Sequence, residues 1–153
     1  MKRNLFLVLP LLALVVLSEA CSTKSDPVPV PAAPTGSYSG KFKLLVKKTT
    51  GSGYDTVKND PLFAVTITAP SKYVVTSSTP SIHALSRGLF QYDPYGQIIR
   101  FIDSTYVPGP QTSYHLAGDY QYRMNTTQLQ FIRPNNSTTQ DTIFFYDLKK
   151  TSN

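Results

Sequence analysis

Cysteine is almost missing: the 153-residue chain has one, Cys21. A single thiol excludes an internal disulfide framework and a multi-cysteine zinc site. Glutamate is as scarce, with Glu19 the only one, so paired catalytic carboxylates further along would have to be aspartates. The eight aspartates are scattered, several beside turn signals (Asp55, Asp60, Asp93, Asp141), where a turn-capping role suits them. Charged residues are few, 16% against a usual quarter, yet an apolar share of 41% is too high for a disordered polar tract. Little Glu and Ala beside plentiful Thr, Tyr, Val and Ile argues against a helical domain and for β structure. No Gly-x-Ser-x-Gly elbow, Asp-x-Asp-x-Asp-Gly calcium loop or phosphate-cradling glycine run occurs. The two histidines, His83 and His115, lie more than thirty residues apart without metal-ligand spacing. Each is expected on a strand, at the surface or half-buried. Neither a cofactor nor an enzymatic activity is expected.

What is present begins with the leader. Lys2 and Arg3 open the chain, and Leu5 to Leu17 is a 13-residue run free of charged or strongly polar side chains. Crossing a bilayer takes about 20 apolar residues, so this run fits a signal peptide over residues 1–20 rather than a membrane span. The stretch Leu17-Ser18-Glu19-Ala20-Cys21 resembles the lipobox of bacterial lipoproteins, with Ser18, Ala20 and Cys21 carrying the match. The resemblance implies cleavage before Cys21, lipidation of its thiol, and attachment to a cell-envelope membrane through acyl chains. Ser22, rather than Asp, after the cysteine points to the outer membrane, on its periplasmic or surface face. The alternative is an ordinary small-x-small cleavage site that leaves Cys21 as a free thiol.

Residues 21–35 read as a linker. Pro27, Pro29, Pro31 and Pro34 are interleaved with Val and Ala. Such spacing favours polyproline II, a semi-rigid spacer advancing about 3.1 Å per residue. The folded domain is expected over residues 36–150, followed by a tail at 151–153.

Across that domain the recurring pattern is period-two alternation. Tyr38, Phe42, Leu44 and Val46 share one face of a first strand, with Leu45 an exception among the polar residues opposite. A weaker strand follows at Tyr54–Val57, then Leu62–Thr68 and Lys72–Thr76 about a turn at Pro70 and Ser71. Leu89–Tyr92 and Gln97–Ile102 form a hairpin across Asp93-Pro94-Tyr95-Gly96, where Asp caps, Pro presets φ and Gly accepts a positive φ. Tyr120, Tyr122 and Met124 share a face, as do Leu129 and Phe131, with a turn at Asn125–Thr127. After a polar turn at Asn135–Gln140, Phe144, Tyr146 and Leu148 alternate with Ile143, Phe145 and Asp147. Eight to ten short strands joined by short turns make an antiparallel all-β meander. To hide its edges it closes into a small barrel or folds into a β-sandwich.

The opening Gly36-Ser37-Tyr38 resembles the early Gly-x-aromatic strand of lipocalin-like (calycin) barrels, with Tyr38 where that family usually has Trp. The resemblance implies a barrel whose inward Tyr and Phe either line a pocket for a small apolar ligand or fill the interior. Two surface features point to a partner instead, a glycan or an envelope protein. One is exposed turn tyrosines, Tyr54, Tyr95 and Tyr106. The other is a basic group, Lys41, Lys43, Lys47 and Lys48 with Lys149 and Lys150, which a closed barrel would bring onto neighbouring strands. Without residues 1–20 the chain carries thirteen basic and eight acidic side chains. Nucleic acid is not an expected partner of an exported protein.

Overall fold

Eight antiparallel strands, each hydrogen-bonded to the next, close into a barrel in the computed structural model of the chain. They are β1 (Gly36–Lys47), β2 (Tyr54–Thr68), β3 (Lys72–Thr76), β4 (Arg87–Asp93), β5 (Ile98–Asp103), β6 (Gly118–Met124), β7 (Gln128–Ser137) and β8 (Gln140–Ser152). The structure describes residues 29–107, 109, 112–137 and 140–152, and among them there is no helix. The leader, Cys21 and the first part of the linker lie outside the described residues. Closure is made by β1 on β8, from Ser37↔Ser152 to Val46↔Thr142, which excludes the sandwich.

Alternation decides what faces inward. Nine aromatic rings fill the interior among the described residues (Tyr38, Phe42, Phe63, Tyr73, Phe90, Phe101, Tyr120, Phe131 and Tyr146), each at most 2% exposed. They interlock edge to face: Tyr73 on Phe101 at 4.9 Å, Phe63 on Tyr146 at 5.0 Å, and Phe101 on Phe131 at 5.3 Å between centroids. Such pairs each add about 0.5–1.5 kcal/mol beyond the area they bury. An eight-stranded barrel is just wide enough for side chains to fill.

Four local expectations change. The two strands expected at 54–57 and 62–68 are one 15-residue strand, β2. It continues past Pro61 through a bulge, since Phe42 pairs with Asp60 and Gly40 with Phe63, leaving Pro61 and Leu62 opposite Lys41. Proline lacks a ladder donor, and a bulge is where a sheet tolerates it. At 135–140, pairing runs on through Asn136↔Asp141 and Ser137↔Gln140, because ladder bonds need backbone groups and not apolar side chains. In the β4–β5 turn the left-handed residue is Gln97 (φ 52°), not Gly96. Gly96 serves by lacking a side chain, since a Cβ there would lie 2.5 Å from Asp93 Oδ2. Met124 is exposed at the very end of β6 instead of joining Tyr120 and Tyr122 inside.

The barrel unit begins at Pro31, so residues 31–35 of the proline-rich stretch belong to it. Pro34 is buried, Ala33 packs against the core, and the Tyr38 hydroxyl donates to Thr35 O at 3.1 Å. At the other terminus β8 extends through Ser152, so residues 151 and 152 are strand rather than tail. The meander gives the barrel two distinct ends. The linker end holds the start of β1, the β2–β3, β4–β5 and β6–β7 turns and the finish of β8. The far end holds the β1–β2 and β7–β8 hairpins and two longer loops, 77–86 and 104–117.

Candidate functional site

The two long loops turn inward and plug the far end. They are joined by a parallel bridge, His83↔Tyr114, with Ala84 N donating to Tyr114 O and Tyr114 N to Ile82 O, both at 2.8 Å. This bridge carries His83 and Leu116 into the barrel, where both are fully buried. The Tyr73 hydroxyl donates to Leu116 O at 2.7 Å and ties the second loop to β3.

His83 therefore departs from its expected place on a strand. It sits among Phe42, Phe63 and Tyr146, with ring centroids 5.0, 4.7 and 5.7 Å away. Its Nδ1 is 3.0 Å from Ala84 O and its Nε2 is 2.9 Å from the Tyr146 hydroxyl. One neutral tautomer satisfies both contacts: Nδ1–H donates to the carbonyl and Nε2 accepts from the phenol. Burial is the main cause that pulls its pKa down to about 4, outweighing the Ala84 hydrogen bond and the attraction of Asp60 and Asp103. Burial also pushes the Tyr146 hydroxyl well above its ordinary range, so both partners stay neutral.

Two buried aspartates hold the loops. Asp60, on β2, accepts from Leu62 N at 3.2 Å, from Ser78 Oγ at 2.8 Å, and from Ser77 Oγ. Asp103, at the end of β5, accepts from Thr105 N and Oγ1 at 2.8 and 2.6 Å, and pairs with His115 Nδ1 at 2.7 Å. His115 is a half-buried loop residue with the Tyr106 ring edge-on at 5.4 Å. The Asp103–His115 pair has the form of a carboxylate orienting a base. Among the described residues, however, no Ser, Thr or Cys hydrogen-bonds the other imidazole nitrogen, and no three metal-ligating side chains converge.

Arg133 completes the plug. Its guanidinium lies against the Tyr120 and Phe144 rings and donates to Ala117 O. Gly118 makes room for it: at φ 92° it takes a conformation that favours glycine, and a Cβ would stand 2.7 Å from Arg133 Nη1.

The three turn tyrosines are exposed but not brought together. Tyr54 and Tyr106 stand at the far end, and Tyr95 at the linker end. The lysine group divides as well. Lys47 pairs with Asp141 at 3.2 Å and Lys48 lies 3.8 Å from Asp55 at the far end. Lys149 and Lys150 sit opposite Ser39 and Tyr38 towards the linker end. Lys41 and Lys43 lie on the outer wall between them. Sequence reasoning missed the inserted His83 and Leu116, because loops carry no period from which an inward direction can be read.

No protein-family model, curated protein or solved structure matches this chain. Its function therefore rests on the site itself.

Proposed function

We propose that the chain is a non-enzymatic lipoprotein of the bacterial cell envelope, a lipocalin-like barrel held at the outer membrane by acyl chains on Cys21. It works through its outer surface rather than by carrying an apolar ligand. One observation carries this reading: the interior is occupied by nine buried rings, and His83 and Leu116 are inserted above them. A carrier of this fold keeps its pocket for cargo, whereas this barrel spends that space on its own side chains. The surface partner is a glycan or an envelope protein met at the far end, where Tyr54 stands exposed at the start of β2 and Tyr106 on a plugging loop.

Native mass spectrometry of protein taken from cells should find no retained small molecule. A bound apolar compound at stoichiometric level would return the barrel to the carrier class. Cys21→Ala should move the protein from the membrane fraction to the soluble fraction and remove the mass of the acyl chains. Tyr54→Ala with Tyr106→Ala should weaken recovery of envelope partners at least tenfold while changing stability little, as expected for exposed side chains.

A further inference from the structure

We infer that the linker end of the barrel is a docking surface for an anionic phospholipid bilayer, centred on Arg123. The inference deepens the proposed attachment to a membrane, and it stands on the distribution of charge and apolar side chains between the two ends.

Lys72, Arg123, Lys149 and Lys150 stand around the rim of the linker end, at the start of β3 and the finishes of β6 and β8. Among the described residues none of the four has a carboxylate within 4 Å, whereas at the far end Lys47 and Lys48 are both paired and Lys58 lies over the Tyr114 ring, leaving Arg87 as the unpaired cation there. The nearby acids are already engaged. Asp93 accepts from Tyr95 N at 3.0 Å, and Asp147 accepts from Gln128 and Gln130 at 2.8 and 3.0 Å. Those glutamine bonds, helped by Lys43 and Lys149, hold the Asp147 carboxyl below its usual range.

Apolar groups stand exposed among the cations. Tyr95 is 68% exposed at the tip of the β4–β5 turn, and Ile98 and Met124 are exposed beside it. Shallow grooves flank Arg123 on two sides, one floored by Gln97, Gln121 and Gln130, the other by Pro31, Pro94 and Met124. A guanidinium beside a groove lined with amides matches a phosphate headgroup, and a protruding Tyr matches the boundary between headgroups and acyl chains. Within the barrel unit, Pro31 lies at this same end, beside Pro94, Arg123 and Met124. Attraction to an anionic surface acts only within about 10 Å, so docking brings the basic rim itself down onto the headgroups.

The test uses residues 22–153, which lack both the leader and Cys21 but keep the whole closed barrel. This chain should sediment with phosphatidylglycerol vesicles and not with pure phosphatidylcholine vesicles, and raising salt from about 0.1 to 0.5 M should release it. Lys72→Gln/Arg123→Gln/Lys149→Gln should weaken partitioning by about fivefold per side chain, about a hundredfold in all. Tyr95→Ala should weaken it severalfold. Lys47→Gln/Lys48→Gln should change it by no more than about twofold. The inference is overturned if anionic vesicles are ignored, if the far-end pair matters as much as the linker-end triple, or if the triple variant loses a protein or glycan partner while vesicle binding is unchanged. The acyl anchor is absent from this assay, so a negative result leaves the Cys21 reading to its own fractionation test.

Discussion

His83 is a single residue whose burial has a consequence readable in solution. Unfolded, an imidazole titrates near 6.5; in the barrel it titrates near 4. Between those values the unfolded chain binds a proton that the folded chain refuses, so stability rises with pH across that window. The contribution of neutral burial is complete above about pH 6.5. It declines as the pH falls towards 4, by up to about 3 kcal/mol. Urea unfolding at a series of pH values should show this slope. His83→Gln, which cannot titrate, should be less stable at neutral pH and flatter between 6.5 and 4. A flat wild-type profile over that range would mean that the imidazole is not held neutral inside. The same residue also shows what a buried polar group requires: both ring nitrogens have partners, one backbone and one phenol.

At the scale of elements, the β4–β5 hairpin separates two roles that a turn sequence merges. Asp93 caps the turn through its carboxylate, as its place before Pro94 suggests, with Tyr95 N donating to it at 3.0 Å. The left-handed step falls one residue later than the glycine, on Gln97. Non-glycine residues resist that conformation by about 1 kcal/mol. Gln97→Gly should therefore raise the unfolding free energy by up to about 1 kcal/mol, whereas Gly96→Ala should lower it by pressing a methyl against the Asp93 carboxylate. Thermal unfolding of the two variants should move in opposite directions; a shared direction would refute this division of labour. The bulge at Pro61 makes a related point. A proline that looks like a strand breaker in sequence is absorbed where β2 has one more residue than β1 between paired positions.

For the whole molecule, closure is the decisive event. β1 meets β8 across the whole stretch of chain from residue 48 to 139, and the interior rings on one side pack only once the other side has arrived. The plug depends on this too, because His83 in a loop after β3 bonds Tyr146 on β8. Core, closure and plug should consequently fail together. Residues 22–153 should unfold in one transition, with far-UV and near-UV circular dichroism coinciding. An earlier loss of the near-UV signal would show that the plugging loops open independently of the barrel.

The alternation of Tyr38, Phe42 and Leu44, of Tyr120 and Tyr122, and of Phe144, Tyr146 and Leu148 was enough to specify strands, their faces and an all-β meander, because a pleated strand puts every second side chain on one side. The proposed lipidation of Cys21 rests likewise on its neighbours along the chain, Leu17 to Ala20 before it and the prolines after it. The choice of barrel over sandwich belonged to the tertiary structure, since alternation names a buried face without naming what it is buried against. So did the fates of Tyr54, Tyr95 and Tyr106, which distant pairings sort onto opposite ends, and of His83, which is drawn inside by a bridge to a loop more than thirty positions away. Local period is a property of neighbours along the chain, whereas partners across space are set only when the sheet closes.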